Sequence, residues 1–151
     1  MKRARLVDIV DGKTYDLRVL VYKYGPILRV GRDFENNEIV LASSIQTQQI
    51  QEHSQKSLKR ETNLYSVILG EEVPLEINPQ AISRIHAILS YFPQSRDEGF
   101  FYIEDRSLNG TIVVREKRKE HLKKGEVFKL QDKDALWFSP YYGPVIYEEN
   151  Q

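Results

Sequence analysis

Cysteine is absent from the 151-residue chain, which excludes disulfides, thiolate metal ligands and a cysteine nucleophile. An excess of either charge is also missing, with 22 Lys and Arg against 22 Asp and Glu. No global field draws the chain to nucleic acid or to anionic lipid, so recognition by charge has to be local. No apolar run approaches the roughly 20 residues that span a bilayer. The basic start Met1-Lys2-Arg3-Ala4-Arg5 runs into Asp8 and Asp11 instead of a signal-peptide core. The three histidines, His53, His86 and His121, lack metal-ligand spacing. These absences predict a cytoplasmic protein without metal, cofactor, membrane partner or nucleic-acid partner.

What the chain does contain is strand material. The hydrophobic fraction is 40% and the aromatic fraction 11%, enough for one core in a single domain spanning residues 1–151. Tyr15, Leu17, Val19 and Val21 alternate with Asp16 and Arg18, which predicts a half-buried strand. Short apolar or β-branched runs follow at 26–30, 38–41, 64–69, 85–92, 100–103, 111–114, 126–130, 135–138 and 145–147. Turn pairs such as Gly25-Pro26, Asn36-Asn37, Asn109-Gly110 and Gly143-Pro144 separate them. Many short strands with this punctuation predict an all-β sandwich. Residues 43–63 break the pattern, being polar and free of Gly and Pro; a short surface helix and a loop are both open there.

Three motifs stand at predicted strand edges: Gly31-Arg32, Ser83-Arg84-Ile85-His86 opening a strand, and Asp105-Arg106-Ser107-Leu108-Asn109-Gly110-Thr111 between two strands. Loops at one end of a sandwich cluster in space, so the three predict one site. Arg32 and Arg84 supply guanidinium forks, Ser83 a hydroxyl and Asn109 both a donor and an acceptor. Such a set suits a phosphate dianion attached to an extended peptide.

With these motifs, with Asn37-Glu38-Ile39-Val40-Leu41 and with the run from Leu122 to Leu130, the chain resembles the forkhead-associated (FHA) family over residues 5–148. The resemblance implies a β-sandwich of about eleven strands that binds phosphothreonine peptides with its loops. By the motif match Arg32 and Ser83 would hold the phosphate, Arg84 would assist, and Asn109 would bind the peptide backbone. Leu108 stands where many members carry a polar residue. Gly31, His86 and Gly110 would shape the site. There are two departures from the family pattern. One is an insertion around residues 43–78, between the first and second motifs. The other is Val114-Arg115, where the family often has an Asn-Gly turn, and it should reshape a loop and spare the site.

Competing readings are weaker. Ser83, His86 and Asp105 have the residue types of a hydrolase triad, but no Gly-x-Ser-x-Gly elbow surrounds the serine, and no catalytic residue is expected. The basic run from Arg115 to Lys124 is interrupted by Glu116 and Glu120; it reads as a solvated hairpin loop, with acidic residues of a peptide or, more weakly for want of interleaved aromatics, nucleic acid as other uses. The expected function is an adaptor module that recruits a partner phosphorylated on threonine by an upstream Ser/Thr kinase. The alternative is a phosphate-independent interaction domain or assembly subunit using the insertion or another sandwich face. Oligomeric state is open.

Overall fold

The computed structural model describes residues 3–42, 78–96 and 98–150. In chain order the elements are β1 (Arg3–Asp8), β2 (Thr14–Asp16), α1 (Leu17–Tyr24), β3 (Ile27–Gly31), β4 (Ile39–Val40), a 3-10 turn (Pro79–Ala81), β5 (Ala87–Pro93), β6 (Gly99–Asp105), β7 (Thr111–Arg115), β8 (Arg118–His121), β9 (Val127–Lys129), β10 (Ala135–Phe138) and β11 (Val145–Asn150). A six-stranded sheet has the order β2-β1-β11-β10-β7-β8 and a five-stranded sheet the order β4-β3-β5-β6-β9. All pairings are antiparallel except β3 with β4. The fold is the expected all-β sandwich.

The pleat explains the core. Gly99, Phe101, Ile103 and Asp105 of β6 are buried in strict alternation with half-buried neighbours, because successive side chains face opposite sides of a sheet. Leu28 and Val30 of β3 and Ala87 and Leu89 of β5 join them from the same sheet, and Leu6, Leu136, Phe138, Val145 and Tyr147 pack in from the other. A smaller cluster of Ile112, Val114, Ala135 and Trp137 covers the opposite side of β7 and β10.

Register sets the functional end. Val30 pairs with Ala87, and Ala87 pairs with Asp105, so β3, β5 and β6 share one row at this end. The next residues are Gly31-Arg32 leaving β3, His86 entering β5 and Arg106 leaving β6. Hydrogen bonds extend the row past the strands, from His86 N to Val30 O at 2.7 Å and from Arg106 N to His86 O at 2.9 Å. Across the sandwich Phe138 pairs with Thr111, and Ser139 N reaches Gly110 O at 3.0 Å. The three motifs therefore arrive at one end of the sandwich.

Three expectations are corrected. The alternation across Tyr15 to Val21 is not one strand. After Asp16 the chain forms α1, with the Asp16 side chain accepting from Arg18 N and Val19 N. Leu17 is buried, Leu20 and Val21 pack against the core and Val19 is exposed; this is helical 3–4 spacing. Ser83 to His86 do not open a strand, because β5 starts at Ala87. The basic run is not only a loop, since Arg118–His121 pair with β7. β1 was not among the runs identified from sequence. The predicted runs at 43–63 and 64–69 lie outside the described residues.

The missing Asn-Gly turn is accounted for by that hairpin. Arg115 pairs with Arg118, so Glu116 and Lys117 form the two-residue turn, with φ of 49° and 67°. Both positions are left-handed, which Asn and Gly adopt at lower cost. The double substitution Glu116→Asn, Lys117→Gly should stabilise the domain by about 1 kcal/mol, seen as a higher thermal midpoint. A lower midpoint would show that the two side chains contribute contacts that outweigh the backbone strain.

Candidate phosphopeptide site

Gly31 allows the first two loops to meet. A Cβ there would lie 2.1 Å from the Arg84 carbonyl oxygen, so only glycine admits this backbone approach. The same carbonyl accepts from Asn37 Nδ2 at 2.6 Å and from Asp33 N at 3.2 Å. Asn37 also donates to Asp33 O at 2.8 Å. Arg32 follows directly, its backbone N donating to Ser83 O at 3.1 Å and its Nε to Ile82 O at 3.0 Å. That second bond fixes the guanidinium while its two terminal nitrogens keep no acceptor among the described residues.

The second and third loops are joined through His86. Its Nδ1 accepts from Ser83 N at 3.0 Å, and its Nε2 lies 2.9 Å from Gly110 O. An acceptor at one nitrogen leaves the proton on the other, so Nε2–H donates to the carbonyl and the ring is neutral. Burial pushes the imidazole below its ordinary value of 6.5, against the opposing pull of the Gly110 carbonyl and of the Asp105 charge. With both nitrogens committed to backbone groups, the imidazole is not bonded to the Ser83 hydroxyl.

The third loop is organised by Asp105, which is 2% exposed. Its Oδ1 accepts from Ser107 N at 3.1 Å, Ser107 Oγ at 2.6 Å and Thr111 Oγ1 at 2.7 Å. Ser107 Oγ in turn accepts from Gly110 N at 2.7 Å. Gly110 itself has φ of 91°, a left-handed position that glycine occupies without strain. The turn presents Leu108 and Asn109 outward. Leu108 N donates to Ser83 Oγ at 3.0 Å, which uses an acceptor lone pair of the serine and leaves its O–H able to donate. Asn109 Nδ2 donates to Ala81 O at 2.9 Å, so the 3-10 turn, capped by Asn78, orients the carboxamide.

An open cleft lies between these loops, lined by Arg32, Gln80, Ala81, Ile82, Ser83, Arg84, Ile85, Arg106, Leu108 and Asn109. It brings together all five residues expected to touch ligand, with Gly31, His86 and Gly110 behind them. Among the described residues three guanidinium groups line it and no carboxylate does. Sequence reasoning missed Asn37 as the clamp on Arg84, the 3-10 turn as the support for Asn109, and Arg106 as a third cation. Asn36-Asn37 carried a turn signal and Asn78-Pro79 a capping signal. Arg106 carried none, since its place depends on register.

The FHA domain family model matches residues 66–139, a stretch that includes the second and third motifs. Over those residues the chain is similar to forkhead-associated domains. The chain superposes on the MEK1 FHA domain solved in complex with a HOP1 phosphothreonine peptide, at 19% identity and a TM-score of 0.56, covering 98% of this chain and 97% of that one. It is also similar to full-length yeast Pml1p, with 14% identity, a TM-score of 0.57 and coverage of 99% and 83%. For the FHA domain of an Arabidopsis thaliana hypothetical protein the values are 19%, 0.55, 98% and 86%. No curated protein sequence matches the chain. Identities this low carry the fold alone.

Two outcomes are expected. Because the folded state depresses the His86 pKa, the stability of the neutral ring is fully present above pH 6.5 and is lost as pH falls through lower values. A long-range nitrogen–proton correlation spectrum at neutral pH should show His86 protonated at Nε2 alone; a proton on Nδ1 there would contradict the assignment. Gly31→Ala should lower stability by about 1–3 kcal/mol and move the amide resonances of Asp33 and Ile85, which flank the displaced Arg84 carbonyl. An unchanged spectrum and melting curve would contradict the close approach.

Proposed function

We propose that this domain binds phosphothreonine on a partner protein and acts as an adaptor downstream of a Ser/Thr kinase. The observation that carries the reading is the composition of the cleft: guanidinium groups, a serine O–H free to donate and a carboxamide suited to a peptide backbone, with no carboxylate in the lining among the described residues. A phosphothreonine brings about −1.5 to −2 charges and three acceptor oxygens. Arg32 and Ser83 engage the phosphate, Arg84 adds its charge, and Asn109 reads the peptide backbone. Leu108 lies on the lip, 89% exposed, as an apolar contact for the peptide. An unphosphorylated threonine offers the arginines nothing to pair with, and this supplies the switch. The phosphothreonine peptide held by the MEK1 FHA domain supports the same use of the fold.

Phosphate recognition here needs no bond-making step. The backbone bonds of Arg32 and the serine orient their donors before ligand arrives, so little ordering remains to be paid on binding. Bonds between guanidinium and phosphate are charge-assisted and stronger than neutral ones.

A second reading rests on the outer face of the five-stranded sheet. Ile27, Phe92 and Val127 are each more than half exposed, and Phe92 packs edge-on against Tyr102. A phosphate-independent partner would use this face.

Fluorescence anisotropy with short phosphothreonine, phosphoserine and plain threonine peptides separates the readings. The phosphothreonine peptide should bind saturably and the plain one should not. Arg32→Ala should lose about 2–5 kcal/mol of affinity, roughly 30-fold or more. A folded Arg32→Ala protein with undiminished phosphopeptide affinity would refute the site.

A further inference from the structure

Two carboxyl groups meet at the end of β1, behind the loops of the cleft. Asp8, the last residue of β1, is 0% exposed. Its Oδ1 accepts from Val10 N at 2.9 Å and from Asp11 N at 3.3 Å, and its Oδ2 accepts from the Tyr142 hydroxyl at 2.8 Å. The Asp11 carboxyl faces the Asp8 carboxyl. Its Oδ1 accepts from Lys13 N at 2.9 Å, while its Oδ2 is buried without a hydrogen-bond partner among the described residues. An orphaned carboxyl oxygen beside a second carboxyl is satisfied by one proton held between them, because like charges resist ionising together in a buried place. The other titratable or charged groups facing the pair among the described residues are Lys13 on the same turn, Tyr15 of β2 and Tyr142 of the loop between β10 and β11. From the β4 side only backbone faces it, with Val40 O accepting from the Tyr15 hydroxyl at 2.9 Å and the Ala42 backbone beside Asp11.

Both sides of the cleft rest on the segments that enclose this pair. On the Arg32 side, Leu41 lies between Val40 and Ala42, and its N donates to Gly31 O at 2.8 Å. On the Asn109 side, the loop that carries Tyr142 is tied to the cleft at two points. Ser139 N donates to Gly110 O at 3.0 Å, and Tyr141 O accepts from Asn78 N at 3.0 Å. Asn78 caps the 3-10 turn, and Ala81 O of that turn holds the Asn109 carboxamide.

We propose that Asp8 and Asp11 share one proton in the folded domain, and that releasing it weakens phosphopeptide binding by loosening the segments on which Arg32 and Asn109 rest. With the proton gone, two carboxylates face each other away from water. Their repulsion is relieved by parting the β1–β2 turn from Ala42 and from the Tyr142 loop, which lets water in. Burial, and then the charge of Asp11, push the Asp8 carboxyl up to about 7, against the opposing hydrogen bonds from Tyr142, Asp11 and Val10. Burial raises Asp11 too. The ordinary value of 3.8 applies to the unfolded chain, so the pair's contribution to stability is fully present below that pH and is lost as pH rises through the neutral range. The sign is opposite to that of His86. The effect on binding rests on the phosphothreonine reading of the cleft; the shared proton does not.

The test uses the full chain as wild type, Asp8→Asn, Asp11→Asn and Arg32→Ala, each checked for folding by circular dichroism. Carboxyl carbon resonances of aspartate-labelled wild type should show one aspartate titrating near neutral pH. Asp8→Asn should remove that titration, and Asp11→Asn should move it to lower pH by removing the like charge. Affinity of wild type for a phosphothreonine peptide, read by anisotropy, should fall about fivefold from about pH 6.5 to about pH 8. The peptide phosphate gains charge over the same range, its second pKa being about 6, and pulls affinity the other way. Asp8→Asn should not show the fall. An aspartate spectrum without a neutral-range titration overturns the shared proton, and wild type alone suffices for that reading. A titration without the fall in affinity, or a fall that survives in Asp8→Asn, overturns the coupling and leaves the phosphothreonine reading standing. No phosphopeptide binding, or binding indifferent to Arg32→Ala, overturns the phosphothreonine reading and the coupling with it.

Discussion

The ring of His86 is the buried bridge between the second and third loops, which the Ser83 hydroxyl and the Asn109 carboxamide also join nearer the surface. Its Nδ1 takes the Ser83 N–H, and its Nε2–H reaches the Gly110 carbonyl. Those bonds require a neutral ring of one tautomer, and burial supplies the neutrality. The serine hydroxyl is then placed to accept from Leu108 N, and the glycine is placed to carry Asn109 outward. A charged or missing imidazole would unpair backbone groups on both loops together, and unpaired buried polar groups are costly. The cleft is therefore as rigid as this bridge.

The bridge itself depends on strand register. Val30, Ala87 and Asp105 occupy one row of the five-stranded sheet, and each is followed or preceded by a site residue. A slip of one residue would turn every side chain of a strand to the other face. The alternating burial of β6, ending on the inward carboxylate of Asp105, prevents such a slip. That carboxylate is paid for by three hydrogen bonds, and it shapes the tight loop after it. Core packing and ligand geometry are thus set by the same alternation.

Sequence and structure agree most closely where backbone geometry demands particular residues. Gly31 and Gly110 mark a close approach and a left-handed turn, and Asn109 and Ser83 sit in loops where polar side chains have no packing role. Such residues are legible one at a time. Arg106 is legible only once β6 is aligned with β5. Period-two spacing at Leu17, Val19 and Val21 misdirected the reading of α1, although the Asp16 cap and Gly25, at φ of 96°, bounded a helix in the sequence. The edge strand β8 was obscured because all four of its residues are exposed, leaving no apolar alternation to find.

The central claim is that a preformed cleft at one end of the sandwich receives the phosphothreonine while the outer face of the five-stranded sheet stays free. Titrating a phosphothreonine peptide into isotopically labelled protein and following backbone amide resonances tests it directly. The account predicts saturable shifts at Arg32, Ser83, Arg84, Leu108 and Asn109, with Ile27, Phe92 and Val127 unmoved. Shifts confined to the outer sheet face, with the cleft silent, would contradict it.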